Sequence, residues 1–462
     1  MPPQLALIIC IIFVLWLLHL ERKQAPNVSR VLWIPTIWML SIASKPFGVW
    51  FMSAGADAEA GSPLDRVFLS VILCLGLIIL ASRKFSWSRA IKENSWLMLL
   101  VSYLLVSILW SDIPFISFKR WIREVVAVVM AFIVMTERNP RQALESILRR
   151  TVYVLIPFSL VLINYYSAYG RVYGRWSGEL MWVGVTQQKN GLGRLCLISV
   201  FFLVWTLARR LRGHDGFTSK RQTYADVFVL IVALWLLKGP PNSYPATAFV
   251  ALSAGLLVFW GLLWIKKSRV IMVTSIFIPI IALGIVFGTV TLFVNGSTIG
   301  HFTSTLGREE SLTGRTDVWA ELLPVVMQSP IWGSGFGGFW TPKTREAFRI
   351  SEGHSGYLDV LIELGFVGLL LFSIFLLSSC RKAQRALSDD FDWASLSICF
   401  FLMAVIHNIT ESSINSFTSH LTAILLFLNA SFTSKVAHSP REVQYHSPNI
   451  SRKLDTLNSN TL

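Results

Sequence analysis

The residues best suited to chemistry lie in one short stretch, residues 352–368. His354 directly precedes a long apolar run, and Asp359 and Glu363 follow inside that run, four positions apart. Residues at this spacing share one face of a helix. Ionisable groups inside a membrane helix cost roughly 2.5–3.5 kcal/mol each, which makes them candidates for function. We therefore expect both carboxylates to face a wet cavity.

His354 itself has two interpretations. A histidine that is neutral near pH 7 is suited to accept a proton from a hydroxyl group. The alternative is an interfacial histidine that only forms local hydrogen bonds. The residue types on their own slightly favour the interfacial interpretation.

A second candidate group comes earlier, in residues 312–319, which read Leu-Thr-Gly-Arg-Thr-Asp-Val-Trp. The pattern predicts a helix that begins at Thr316 or Asp317 as its cap, with Arg315 at the N-terminal end. Backbone N–H groups at such an end favour an anion, whereas the helix dipole disfavours a cation. A phosphate bound between Arg315 and the helix would explain the arrangement. A solvated loop arginine is the alternative.

Between these groups, residues 332–338 read Trp-Gly-Ser-Gly-Phe-Gly-Gly and match the pattern GxGxxG. No predicted strand precedes the match and no βαβ unit surrounds it, so we do not interpret it as a dinucleotide site. Glycine adopts backbone conformations that other residues avoid. We therefore expect a flexible or tightly turned loop.

Apolar runs make up most of the remaining chain. Of the 462 residues, 53% are hydrophobic and 15% are charged, and the mean hydropathy is +0.57. A soluble domain carries about 25% charged residues. A helix needs about 20 apolar residues to cross a bilayer, and the alternating segments of a membrane barrel are absent. The sequence therefore predicts an all-α polytopic membrane protein.

We predict about twelve to thirteen transmembrane helices. They lie near residues 4–20, 31–51, 64–81, 95–111, 119–136, 150–168, 185–208, 223–238, 245–264, 270–294, 355–379, 391–407 and 417–432. Those at 223–238 and 245–264 flank a proline-rich turn, so they could instead form a hairpin of broken helices. Trp110, Trp182 and Trp264 lie near span ends, as expected for interfacial anchors.

Lysine and arginine are concentrated in every second loop and in the tail after residue 432. Basic loops face the cytoplasm, so the net charge of +15 reflects topology. Nucleic-acid binding is excluded as an interpretation because the charge forms no single face. The basic residues Arg22 and Lys23 follow the first apolar run, which predicts an uncleaved first helix with its N-terminus outside.

This predicted topology divides the chain into four segments. We expect an N-terminal bundle of about ten spans at residues 1–294, an outward, partly helical loop at 295–354, and C-terminal transmembrane helices at 355–432. Residues 433–462 are expected to form a disordered cytoplasmic tail. The five cysteines form no CxxC pair, so neither a zinc site nor a disulfide framework is predicted.

The stretch 312–368 resembles the domain shared by O-antigen ligases and Wzy-type polysaccharide polymerases. Ligases of this family carry histidine, then Asn, Ser or Gln, nine further residues and glycine; here His354 and Ser355 are followed by nine residues and Gly365. The Thr-Gly-Arg-Thr-Asp-x-Trp element also fits. The resemblance extends to an exopolysaccharide-production branch through residues 32–38, 61–66, 109–112, 118–121 and 184–193, with the domain core at about 185–375. Residues 238–248 depart from that branch.

This resemblance implies a GT-C-like glycosyltransferase that needs no metal and no cofactor. It would reside in the bacterial inner membrane, with its active site on the periplasmic side. The donor would be a glycan linked to undecaprenyl diphosphate, and the acceptor another glycan or lipid-linked glycan. Other polysaccharide export components are conceivable partners. The resemblance favours polymerisation of exopolysaccharide or O-antigen; a ligase acting on lipid A-core and a transporter or flippase are the alternatives.

The resemblance also assigns roles to residues. His354 would be the general base, and Arg315 would act on the leaving diphosphate, whose oxygens an arginine fork binds bidentately. The other candidates for substrate binding are Arg171, Arg175, Lys189, Asp317, Asp359 and Glu352. The last three are also candidates for fixing the tautomer of His354, and the sequence leaves that choice open.

Overall fold

The computed structural model describes residues 1–51, 62–83, 85–174, 178–213, 219–241, 243–267, 276–293, 310–350 and 352–432. This part of the chain is almost entirely helical. The predicted tail at 433–462 lies outside the described residues, as do residues 294–309 of the predicted outward loop.

The first half of the chain forms nine helices in the described residues. They are α1 (Pro3–Gln24), α2 (Trp33–Ile42), α3 (Phe47–Phe51), α4 (Pro63–Ser82), α5 (Trp87–Glu93), α6 (Ser95–Val106), α7 (Pro114–Met135), α8 (Pro140–Tyr165) and α9 (Ser167–Gly170). A short antiparallel pair follows, formed by β1 (Arg171–Tyr173) and β2 (Leu180–Trp182).

The second half contributes nine more described helices. They are α10 (Lys189–Leu211), α11 (Lys220–Lys238), α12 (Ala246–Lys267), α13 (Phe277–Phe293), α14 (Glu310–Gln328), α15 (Pro342–Phe348), α16 (Gly356–Arg385), α17 (Phe391–Thr410) and α18 (His420–Ser431). Helices α14 and α15 fall in the predicted outward loop.

Seven of the described helices are long and apolar enough to cross a membrane: α1, α4, α8, α10, α12, α16 and α17. The number is eight if α5 and the segment Ser95–Trp110, which are bent by 93°, form one span. Every predicted span overlaps a helix, and the prediction of an all-α polytopic membrane protein is confirmed. The count of twelve to thirteen spans stays a prediction. Helices α11 and α12 are each continuous, so the broken-hairpin alternative is wrong.

Buried ion pairs join the first half of α8 and the last turn of α10 to the neighbouring helices α1 and α11. Arg149 and Arg210 both contact Asp226 of α11, at 2.7 and 2.6 Å. Arg150 contacts Glu21 of α1 at 2.9 Å. A buried charge is strongly unfavourable unless it is paired, so these contacts fix how α1, α8, α10 and α11 meet.

Helix α16 is kinked at Gly365, where φ is +64°. The kink interrupts the helical hydrogen bonds and leaves backbone groups that need new partners. The segment before it in sequence supplies them: Phe366 N–H donates to the carbonyl of Pro330, and Ser334 N–H donates to the carbonyl of Ile362. The glycine at the end of the His-Ser-x9-Gly pattern is thus where the glycine-rich loop docks against α16.

The loop at residues 332–338 is tightly turned, with positive φ at Gly333, Gly335 and Gly337. The Gly337 N–H of this loop donates to the Glu363 carboxylate of α16 at 3.0 Å. The expectation that Asp359 and Glu363 face a wet cavity is wrong, since the two residues are 0% and 5% exposed. Both carboxylates bind loop backbone instead.

The helix that carries Arg315 begins earlier than predicted. Helix α14 starts at Glu310, so Thr316 and Asp317 are not its cap and Arg315 is not at its N-terminus. Gly314 is accommodated inside the helix, where its cost relative to alanine is only about 1 kcal/mol. The prediction that Arg315 lies at a helix N-terminus is therefore wrong, and Arg315 has a different partner.

We expect Gly365→Ala to destabilise the protein. An added Cβ would lie 2.3 Å from the carbonyl oxygen of Ile331, and the left-handed conformation alone costs alanine about 1–3 kcal/mol. Gly261→Ala in α12 is the matched control, because a Cβ there meets nothing within 4 Å. The measurement is the midpoint of thermal unfolding in detergent. An unchanged midpoint for Gly365→Ala would contradict the docking role of the kink.

Candidate functional site

A polar cavity of about 220 Å³ lies where several helix ends meet. The segment after α2, the start of α10, the loop before α16 and the start of α18 all line it. The side chains that matter below are Gln188, Arg194, Glu352, Ser419 and His420.

His354 stands beside this cavity on a short, fixed loop. Its φ of +49° is left-handed, and Arg349 is the one other non-glycine residue with positive φ in the described part of the chain. Trp319 Nε1 donates to the carbonyl of Gly353 at 3.0 Å, and Gly353 N–H donates to Asp359 at 3.0 Å. Strained conformations of this kind persist where the surrounding structure imposes them, often at functional sites.

Asp359 has a positioning role in this arrangement. Besides Gly353, its carboxylate accepts hydrogen bonds from Trp340 Nε1 at 3.1 Å and from the Ser412 hydroxyl. It thereby joins the loop before α16 to the segment after α17. These bonds occupy both carboxylate oxygens and keep Asp359 away from the imidazole.

Glu352 is the predicted carboxylate that the structure brings to the imidazole. Its Oε1 lies 3.5 Å from His354 Nδ1, and Nδ1 makes no hydrogen bond to the described residues. Both side chains remain about 30% exposed, so a substrate can reach them. Asp317 is exposed on α14.

Arg315 forms an ion pair with Glu411, which follows α17. The Arg315 Nη2 to Glu411 Oε1 distance is 2.5 Å, and the Glu411 side chain is 3% exposed. Asn190 Nδ2 donates to the same oxygen at 2.6 Å. The pair ties α14 and α10 to the loop between α17 and α18, directly beside His354.

Glu352, His354 and Glu411 place one potential metal-ligand atom each within 4.8 Å of one another. Arg315 already contacts Glu411, which puts a fixed positive charge against the same carboxylate. A cation bound there would have to compete with that guanidinium. The prediction that the protein needs no metal remains a prediction.

The electrostatic environment keeps the imidazole neutral. Burial lowers the pKa of His354, Glu411 raises it and Arg315 lowers it, with a net decrease from 6.5. Burial raises the pKa of Glu411, and Arg315 opposes that increase. Burial also raises the pKa of Glu352, against the effect of Arg194. A neutral imidazole next to two carboxylates can accept a proton and share the resulting charge with them.

Arg194 is the cation that lines the cavity itself. Its Nη1 donates to the Ser419 hydroxyl at 2.5 Å, while Nε has no hydrogen-bond partner among the described residues. In that part of the chain it forms no direct ion pair, in contrast to Arg315. A guanidinium in this state is suited to bind an anion bidentately.

One of the three other predicted cationic binding residues borders the cavity. Lys189 begins α10, next to the lining residue Gln188. Arg171 does not line the cavity, and its Nε donates to the carbonyl of Ile163 at 2.7 Å. Arg175 lies outside the described residues.

Two central residues, Arg194 and Glu411, were missing from the predicted site. A signal was present for Arg194, which falls inside the predicted span 185–208, because a charge inside a span is unfavourable without a function or a partner. Glu411 falls in the short outward loop 408–416, where an acidic residue is ordinary and gives no signal. His420 and Asn190 carried no comparable signal, since single polar residues near span ends are common.

Residues 228–373 match the family model described as O-antigen ligase, Wzy_C. This range contains α14, with Arg315, and the His354 loop. The chain is also 24% identical over 371 residues to the "Exopolysaccharide production protein ExoQ" of Rhizobium meliloti (strain 1021). That match covers 78% of this chain and 80% of the relative. Both similarities support the resemblance to the O-antigen ligase and Wzy-type polymerase family.

The family-model match includes residues 312–368, where the resemblance was found in the sequence. The two matches support an O-antigen ligase or polymerase type of membrane enzyme. Two members of the cluster, Arg194 and Glu411, lie outside the range that the family model matches. Their assignment to the site rests on the structure, in which Arg194 lines the cavity and Glu411 contacts Arg315.

We expect the His354 imidazole to stay neutral, and therefore reactive, at a lower pH than the imidazole of a free histidine does. Diethyl pyrocarbonate modifies the neutral imidazole only. The rate of modification of the His354 peptide is measured by mass spectrometry as a function of pH, and it should reach half of its maximum below pH 6.5. Glu411→Gln removes a charge that raises this pKa and should shift the midpoint further down. Glu321→Gln, on the exposed face of α14, is the control. A midpoint that rises in Glu411→Gln would contradict the arrangement.

Proposed function

We propose that the protein polymerises glycan units carried on undecaprenyl diphosphate at the periplasmic face of the inner membrane. The observation that carries the proposal is that an arginine and a neutral, conformationally fixed histidine lie at the same cavity. Among the described residues Arg194 makes no direct ion pair with a carboxylate, and His354 stands beside the same cavity.

Arg194 would bind the diphosphate of the donor. The leaving group carries negative charge that grows as the glycosidic bond breaks, and a prepositioned cation stabilises charge that develops in the transition state. Arg315 would contribute a second cation, because diphosphate oxygens can share its guanidinium with Glu411. The two arginines supply the positive charge that metal ions provide in other phosphate sites.

His354 would act on the acceptor. Its imidazole takes the proton of an acceptor hydroxyl as that oxygen forms a bond to the anomeric carbon of the donor glycan. The bond between that carbon and the diphosphate oxygen breaks, and its electron pair leaves with undecaprenyl diphosphate. Glu352 Oε1 lies 3.5 Å from Nδ1; if that contact tightens into a hydrogen bond in the substrate complex, it would hold the tautomer in which Nε2 accepts the proton.

Polymerisation is favoured over the alternatives by the similarity to an exopolysaccharide production protein over most of the chain. A ligase would use the same groups and differ in its acceptor. A transporter or flippase would place ionisable groups near the middle of the membrane, whereas Arg194 lies in the first two turns of α10 and His354 and Glu411 lie just outside helices. The enzyme proposal therefore fits the placement of charge better.

His354→Ala should abolish long-chain polysaccharide in cells and cause lipid-linked repeat units to accumulate. Loss of a general base reduces the rate by roughly 10²–10⁴-fold. Arg194→Gln should give the same phenotype because the leaving group loses its cation. The measurement is the size distribution of the polysaccharide together with the amount of lipid-linked precursor.

His19→Ala is the matched histidine control, since His19 lies in the second half of α1, away from the cavity. Immunoblots of the membrane fraction establish that each variant is present at the normal level. Long-chain polysaccharide of normal amount in His354→Ala would rule out the proposed role of the histidine.

A further inference from the structure

A second cavity, of about 420 Å³, adjoins the polar cavity and is mainly apolar. Its walls come from α1, α8 and the segments around α3 and α9, with Leu7, Leu155, Phe158 and Leu162 as its aliphatic and aromatic lining. Ser44 lines both cavities. The volume falls in the range of about 300–1,000 Å³ that is typical of small-molecule sites. We call this apolar cavity, lined as described, the α1–α8 groove.

The α1–α8 groove lies at the edge of the helical bundle. Ile8 and Ile12 of α1 are 53% and 61% exposed, so one side of this helix contacts lipid while Leu7 lines the groove. A hydrocarbon chain could therefore pass from the bilayer into the groove without crossing polar protein surface. This explains an apolar site next to a cavity that is polar and charged.

A buried cation lies beside the groove, next in sequence to the Ser44 that lines both cavities. Lys45 follows Ser44 and is 8% exposed. Its ammonium donates to the carbonyl of Tyr169 and, at 3.0 Å, to that of Gly184. It also lies 5.2 Å from the ring centroid of Trp50. No carboxylate of the described residues forms an ion pair with it.

Buried charges without a counter-ion are strongly unfavourable. The two carbonyls solvate the Lys45 ammonium but leave its full positive charge uncompensated. Trp50 and Tyr169, which contact it, also line the α1–α8 groove. An anionic group at the junction of the two cavities would supply the missing negative charge.

From this combination we infer that the α1–α8 groove binds the first isoprene units of the donor's polyprenyl chain, with Lys45 beside the phosphate nearest that chain. The inference rests on the proposed function and extends it, because it assigns the lipid part of the substrate. The glycan end would lie in the polar cavity with Arg194 and His354. Lys45 thus becomes a further substrate-binding residue.

The test is a binding measurement on the purified full-length protein with two probes. Farnesyl diphosphate carries an isoprenoid chain, and inorganic diphosphate carries none. Leu7→Trp narrows the groove, so it should weaken farnesyl diphosphate binding by about ten-fold or more and leave inorganic diphosphate binding unchanged. Ile8→Trp adds similar bulk at the neighbouring, outward-facing position and should change neither.

Lys45→Met should weaken the binding of both probes by about ten-fold, and Lys45→Arg should restore most of it because the charge is retained. If Lys45→Met proves unstable by thermal unfolding, the Leu7→Trp comparison still decides. Farnesyl diphosphate binding that is equal in Leu7→Trp, Ile8→Trp and the unmodified protein would overturn the inference.

Dioctanoyl phosphatidic acid is the competitor that tests the choice of lipid. Displacement of farnesyl diphosphate at equal concentration would show a general site for membrane phospholipids and overturn the isoprenoid assignment; no displacement supports it. These binding results do not depend on turnover. Intact binding in a protein that transfers no glycan would refute the proposed function while the groove assignment stands.

Discussion

The structure around the site depends on the pairing of buried charge at one end of the helical bundle. Glu411 is almost completely buried, and Arg315 contacts it at 2.5 Å. An unpaired charge there would cost several kcal/mol, so each member holds the other in place. Through this pair, α14 of the long loop is fixed against the segment between α17 and α18. His354 lies next to the pair; burial lowers the pKa of its imidazole, Glu411 opposes that decrease and Arg315 adds to it.

The scaffold around this pair is built from broken or terminated helices. Gly365 interrupts α16, and the backbone groups it exposes bind the glycine-rich loop. Asp359 and Glu363, one turn apart on α16, bind the backbone of Gly353 and Gly337. A continuous helix would satisfy its own hydrogen bonds and give the long loop nothing to bind. The kink and the two carboxylates therefore convert a membrane helix into a support for the loop that carries His354.

Much of this could be predicted from sequence, and the omissions have physical reasons. Apolar runs of span length predicted the helices, and the His-Ser-x9-Gly pattern identified His354. The start of α14 was misplaced because Thr316 and Asp317 are typical helix-capping residues, yet the helix already begins at Glu310. The pairing of Arg315 with Glu411 joins residues 96 positions apart, and no local pattern encodes such a contact. Asp359 and Glu363 were correctly predicted to share a face, but that face packs against loop backbone.

The most direct test of the account is reconstitution of the purified protein in vesicles with undecaprenyl-diphosphate-linked repeat units, EDTA and no other acceptor. The measured quantities are glycan length and free undecaprenyl diphosphate. The account predicts that one undecaprenyl diphosphate is released for each glycosidic bond formed, and that Arg194→Gln loses both products together. Folded protein that forms no longer glycan, or that releases the lipid without forming a bond, would contradict it.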